Sequence, residues 1–273
     1  ILVEVGTTNK THLRDYAAAI TDETAALLRV NPSNYRIVGF SQSVSVAQLV
    51  SLKGDRPLLV IDDLGCGALV NLEDYGLPHE PTVQESVAAG ADIVCFSGDK
   101  LIGGPQSGII VGRKELVARI RKHPLTRMLR VGKLTDMALE RTLRMFFEPE
   151  KLRDVHPTYR MLAIPLERVW ERAEALHTSL SALGGRLECS VEPADSATGG
   201  GSLPDAAIPS AAVKAAVAGM SAEEVGRRLR RNEPPIITQL RDDRVVIDLR
   251  TVLDGEETRI VEAFRRIAEG RDT

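Results

Sequence analysis

Val94-Cys-Phe-Ser-Gly-Asp-Lys-Leu-Ile-Gly-Gly-Pro105 decides how the rest of the chain is read. Ile93-Val94-Cys95-Phe96 is an apolar run of strand length, and it passes directly into a turn-rich segment that holds one lysine, Lys100, among Ser97, Asp99 and two glycines. A lysine held beyond a buried strand can act as a Schiff-base nucleophile. A lysine in a polar turn can equally point into water. The surrounding chain has to decide between the two.

Upstream, 57–61 is a continuous apolar strand, the pattern of a strand covered on both faces in a parallel sheet, and it ends at Asp62-Asp63-Leu64-Gly65-Cys66-Gly67. Helical spacing marks 12–20, 45–52 and 82–89, and strands are expected at 1–5, 25–30 and 107–112, the last turning into an amphipathic helix over 114–121. Strand and helix alternate, which predicts an α/β sheet of the doubly wound kind with ligands beyond the carboxyl ends of its strands. A helix at 135–147 follows, then Pro157 and a long helix over 159–183 that closes at Gly184-Gly185. Strands at 186–191, 211–217, 236–237 and 245–249 with helices at 221–231 and 254–268 predict a smaller α+β domain. The expected domains are therefore 1–150 and 151–273, with the boundary between Glu148 and His156.

The chain has 273 residues, 43% of them hydrophobic, and a formal net charge of -3. No global basic field argues for DNA or other nucleic acid, so any such contact must come from a local patch. One such patch is Arg119, Arg121, Lys122, Arg127, Arg130 and Lys133, a run without an acid. It reads either as a solvated face or as an anion site in which Arg127 and Arg130, three apart, share a helix face and clamp a phosphate-like group. The three cysteines, Cys66, Cys95 and Cys189, are widely separated and suit reduced thiols in a cytoplasmic protein. No metal-ligand spacing occurs among them or the histidines, and no apolar run is long enough for a membrane span. The start at Ile1, without methionine, reads as entry in mid-strand and predicts that an N-terminal part of the natural protein is absent.

Asp63 and Lys100 each follow an apolar strand, and neighbouring parallel strands deliver both to one edge. That arrangement matches what pyridoxal 5'-phosphate demands: an amine to condense with its aldehyde and a carboxylate to keep its pyridine nitrogen protonated. Ser97, three residues before the lysine, can donate to the cofactor phosphate. The spacing and the Ser-x-x-Lys order resemble the aspartate aminotransferase-like cofactor fold. Gly65-Cys-Gly67 also invites a dinucleotide reading, but Val70 stands where the third glycine or alanine belongs.

The blocks Glu4-Val-Gly-Thr-Thr-Asn9, Ser33-Asn-Tyr-Arg-Ile-Val-Gly-Phe40, Asp63-Leu-Gly-Cys-Gly67, Tyr75-Gly-Leu-Pro78, Phe96 to Gln106, His123-Pro124, Gly200-Gly-Ser-Leu-Pro204 and Val245-Val-Ile-Asp-Leu-Arg250 resemble, in order, bacterial selenocysteine synthases. The resemblance implies fold type I of the pyridoxal-phosphate transferases, a partial large domain with a mainly parallel sheet plus the small α+β domain. It implies Lys100 as the cofactor lysine, Asp63 under the pyridine nitrogen, and Arg127 and Arg130 on selenophosphate or its leaving phosphate. It also implies seryl-tRNA(Sec) as substrate, β-replacement as the reaction, and a homo-oligomeric ring built from dimers. Serine is common in that family where Cys66 stands; the thiol is either packing or a reactive group. A lyase or transferase acting on a small or phosphorylated amino acid, and a non-catalytic assembling fragment, are the other readings these residues allow.

Overall fold

The computed structural model describes residues 1–35, 37–199, 202–204 and 206–270; Arg36, Gly200 and Gly201, which fall in two of the quoted blocks, lie outside the described residues. The chain divides into two compact units, 1–158 with 198–206, and 159–197 with 207–273.

In the first unit Ala26–Val30 (β1), Leu59–Gly65 (β2), Ile93–Ser97 (β3) and Gly108–Gly112 (β4) form a sheet in that order. The first three strands are parallel and β4 is antiparallel to β3, with Cys95 opposite Ile110. The connection 98–107 is too short for the crossover that a parallel neighbour would need. Helix Leu13–Ala19 (α1) precedes β1, Val46–Lys53 (α2) and Val83–Ala88 (α3) link the parallel strands, and Lys114–Lys122 (α4), Pro124–Leu129 (α5), Lys133–Met145 (α6) and Leu152–Val155 (α7) follow; most of Pro157–Ala163 (α8) belongs to the second unit. Local chemistry sets the helix starts. Ser45 and Gln48 close a reciprocal capping box on α2, and Thr82 and Glu85 do the same on α3. The core gathers Leu27, Leu49, Val60, Leu64, Val94, Phe96 and Ile102, each burial stabilising by about 1.5–3 kcal/mol. Asp92 fastens the back of the sheet, accepting from the Val60 N–H and Lys53 Nζ at 2.8 Å and from Arg113 at 3.1 Å.

The second unit is an antiparallel sheet of Leu187–Ser196 (β5), Ile208–Val217 (β6), Gln239–Arg241 (β7) and Arg244–Asp248 (β8), ordered β5-β6-β8-β7. Helices Leu166–Ser181 (α9) and Ala222–Arg231 (α10) pack on it, and Glu256–Ala268 (α11) packs on both helices. Val169, Leu176, Leu180, Val213, Leu229, Ile247 and Phe264 form its core.

Three local expectations are corrected. Residues 1–5 are not a strand; Ile1, Leu2 and Val3 are exposed and find no ladder partner among the described residues. The long helix over 159–183 is two helices, because Pro165 cannot donate to the preceding turn and disfavours helical geometry at Ile164. The strand placed at 236–237 begins at Gln239, and its two-residue turn, Asp242 and Asp243 at φ 53° and 54°, is the left-handed pair that matches strand twist. Among the described residues no helix is long and apolar enough to cross a membrane.

Candidate functional site

β2 runs through both aspartates rather than ending before them, and the strand alternation sends the two carboxylates to opposite faces. Asp62 is fully buried and accepts from Arg29 Nη1 at 2.8 Å and Ser86 Oγ at 2.6 Å. Asp63 lies opposite Cys95 of β3, so Asp63, Cys95 and Ser97 share the other face, towards the carboxyl end of the sheet. A bulge between Asp63 and Gly65 bends the strand there. The Asp63 carboxylate accepts the Gly65 N–H at 3.2 Å and has no cationic partner among the described residues. Burial pushes the Cys95 thiol above its ordinary value, and the nearby charges of Asp63 and Asp62 push it further.

Lys100 lies three residues past the end of β3, on a half-buried turn, and its Nζ donates to Ser33 Oγ at 2.7 Å. Ser33 belongs to the Asn31-Pro32-Ser33 turn that follows β1. That turn is tied to the neighbouring strand by the Asn31 N–H donating to the Asp63 carbonyl at 2.7 Å. The Asn31 side chain receives from Arg29 at 3.3 Å and donates to Glu80 Oε1 at 3.2 Å. Glu80 also accepts from Cys66 Sγ at 2.8 Å. The Cys66 thiol is pushed up to about 12, by burial first, then by its hydrogen bond to Glu80 and that carboxylate's charge, with Lys100 opposing. Cys66 is therefore a protonated packing group at neutral pH rather than a nucleophile.

Both glycines flanking Cys66 have left-handed φ, and each admits a neighbour. A Cβ at Gly65 would stand 2.7 Å from Ser33 Cβ, and one at Gly67 2.7 Å from the Phe96 ring. The Gly-Cys-Gly segment thus serves close packing of the turn against the sheet.

The Ser97 hydroxyl makes no hydrogen bond among the described residues. Arg127 is in the last turn of α5 and Arg130 is its extended C-cap residue, one position beyond the helix, so the two do not share a helix face. Both are exposed and unpaired among the described residues, and no hydrogen bond or ion pair among those residues joins them to Asp63, Ser97 or Lys100. Around them stand the exposed apolar side chains Leu125, Met128, Leu129, Leu134 and Met137. A cavity of about 510 Å³ opens beside the carboxyl end of β1, lined by Thr8, Asn9, Arg29, Asn31, Tyr35 and Glu80 among others; Lys100 and Asp63 do not line it. Sequence reasoning passed over Ser33, Asn31 and Glu80. Asn31 and Ser33 sit where the strand breaks, and although Ser33 opens one of the quoted blocks no role follows from it there; Glu80 has no local pattern at all.

The profile of the family described as SelA: L-seryl-tRNA selenium transferase matches residues 1–253. The L-seryl-tRNA(Sec) selenium transferase of Alkaliphilus metalliredigens is 47% identical over 268 residues, covering 98% of this chain and 57% of the relative. That of Carboxydothermus hydrogenoformans is 46% identical over 256 residues, covering 94% of this chain and 55% of the relative. The chain thus spans a little over half the length of the curated relatives it matches. Among solved structures, D-glucosaminate-6-phosphate ammonia-lyase has a TM-score of 0.57 at 24% identity, covering 99% of this chain and 64% of that one. The fold that the sequence led us to expect, α/β with a mainly parallel sheet and a smaller α+β unit, is the one observed. With the profile matched from the first residue to 253 and nearly half the positions identical to curated members, the chain belongs to the L-seryl-tRNA selenium transferase family.

Proposed function

We propose that this chain is the larger part of a pyridoxal-phosphate-dependent cytoplasmic enzyme. It would convert L-seryl-tRNA(Sec) to L-selenocysteinyl-tRNA(Sec) by β-replacement, with selenophosphate as selenium donor. The observation that carries the reading is the delivery of Asp63 and Lys100 by the adjacent parallel strands β2 and β3, within a chain 47% identical to a selenium transferase. The donor set fits the cofactor: an amine at Lys100, a carboxylate without a cationic partner at Asp63, and a hydroxyl without a partner at Ser97. Lys100 Nζ would hold the aldehyde carbon, Asp63 would accept from the pyridine N–H, and Ser97 would donate to the phosphate. When bound, the group supplies an electron sink for the charge that develops at the serine Cα.

The chain's own residues supply the rest. Lys100 Nζ is the base that takes the Cα proton, and the neighbouring thiol, Cys66, stays protonated and out of the chemistry. The serine Cβ–O bond breaks and the hydroxyl leaves as water, a Cβ–Se bond forms to selenophosphate while Lys100 returns the proton to Cα, and a water cleaves the Se–P bond so that phosphate is released. Arg127 and Arg130 receive that phosphate. Guanidinium groups stay charged at any relevant pH, so they bind the anion while Lys100 cycles between its protonation states. The exposed apolar side chains around the two arginines support a homo-oligomer, a ring of dimers in which this pair serves a neighbour's site. The name of the fold neighbour, an ammonia-lyase, describes that protein, and at 24% identity the likeness extends to fold alone.

The test is direct. The full-length protein is incubated with pyridoxal phosphate, treated with borohydride and assayed for selenium transfer to seryl-tRNA(Sec), beside Lys100→Ala. Covalent trapping and transfer in the wild type alone are expected. Equal trapping by both proteins would show that Lys100 is not the attachment site.

A further inference from the structure

Resting on that reading of Lys100, we infer that Ser33 is the positioning residue that holds the lysine amine at the site whenever it is not covalently engaged. Ser33 is 67 residues from Lys100 in the chain, yet its Oγ accepts from Nζ at 2.7 Å, the length of a strong hydrogen bond to a charged donor. The lysine has a long flexible stem, whereas the serine does not choose its position. Pro32 fixes the preceding φ, the Asn31 N–H is held by the Asp63 carbonyl at 2.7 Å, and the Asn31 side chain is gripped by Arg29 and Glu80. Gly65 completes the seat. A Cβ there would stand 2.7 Å from Ser33 Cβ and 2.8 Å from Oγ, so only glycine lets the turn close onto β2 at this point.

The same carbonyl-held turn ties Ser33 to the backbone of Asp63, the residue proposed to receive the pyridine nitrogen. Both ends of the proposed cofactor seat are therefore set by one connection between β1 and β2. A hydroxyl suits the role because it accepts from the ammonium and donates to the neutral amine, so it can hold the lysine in either protonation state. A carboxylate would pair with the charged form, and an apolar residue would leave the amine free to rotate away. Preorganisation of a reacting amine is worth roughly one to two orders of magnitude in rate.

The measurement is the rate at which the cofactor-free full-length protein captures pyridoxal phosphate, followed as the visible absorbance band after mixing, alongside kcat and KM for selenium transfer. Ser33→Ala is expected to slow capture about tenfold and to lower kcat by a similar factor, with KM for the acyl-tRNA within twofold; Ser33→Thr, which keeps the hydroxyl, is expected to stay within twofold of wild type throughout. Wild-type capture by Ser33→Ala, or equal slowing by Ser33→Thr, would overturn the inference. Lys100→Ala separates the two levels. If it captures cofactor as the wild type does, the function itself is misread; if it captures none while Ser33→Ala behaves as wild type, only the role of Ser33 fails.

Discussion

Asp63 and Asp248 stand near the carboxyl ends of apolar strands, one in each unit, and their carboxylates are committed to opposite degrees. Asp248, the last residue of β8, is filled. The hydroxyls of Ser196 and Ser210 donate to it, the latter at 2.5 Å, and the Arg250 N–H donates at 3.0 Å. Arg250 is buried in turn and spends its guanidinium on the carbonyls of Met161, Ile164 and Pro209 at 2.6–3.0 Å. Burial pulls Arg250 below the ordinary arginine value, with Asp248 opposing. Asp63 takes one N–H at 3.2 Å and keeps its other lone pairs open, on the face it shares with Ser97 and beside the turn that meets Lys100. A carboxylate that takes three donors, two of them buried serine hydroxyls, organises backbone. One that is half-buried with lone pairs to spare can receive a ligand.

The contrast can be broken most severely at its lysine. Lys100→Ala in the full-length protein is expected to lower selenium transfer by at least about 10³-fold while leaving the thermal midpoint within about 2 °C, measured by single-turnover kinetics and calorimetry. Asp248→Ala should show the reverse pattern. It strands two buried serine hydroxyls and loosens the Arg250 turn, so a loss of about 2–3 kcal/mol in chemical denaturation is expected, with the activity per folded molecule retained. Asp63→Asn is expected to cost about 10²-fold in kcat but less than about 1 kcal/mol in stability. Equal destabilisation by the Asp63 and Asp248 variants would erase the distinction between an open and a filled carboxylate.

A finer test uses pH. The folded Cys66 value of about 12 lies above its ordinary 9.0, so the folded state holds the proton more tightly than the unfolded chain. Its contribution to stability is fully present below about 9 and is lost as pH rises towards 12. Cys66→Ala should therefore show a shallower fall in urea midpoint between pH 9 and pH 11 than the wild type. Parallel curves would mean that the thiol is not held as the structure has it.

Much of the first unit was legible because its signals are local. Apolar runs at 57–61 and 93–96, Ser45 and Thr82 at helix starts, and glycines after strands each reflect the conformational preference of a few neighbouring residues. The misreadings also have local causes. Residues 1–5 carry strand-like composition without a ladder partner among the described residues, and Ile164-Pro165 sits inside a helical periodicity strong enough to hide the break. The antiparallel direction of β4 was set by the shortness of the segment before it, which composition does not display.

The sequence by itself determined the α/β alternation, the pairing of an aspartate and a lysine carried by neighbouring apolar strands, and the family to which those blocks belong. Tertiary structure alone supplied the physical reason why Asp63, already singled out in the sequence, stays open while Asp62 is committed to Arg29 and Ser86, since that depends on strand alternation and on the register of β2 against β3. It alone brought Ser33 to Lys100 and Glu80 to Cys66. Those contacts join residues far apart in the chain, and a hydrogen bond forms only where the packing of whole strands leaves donor and acceptor about 3 Å apart. No local propensity encodes that distance.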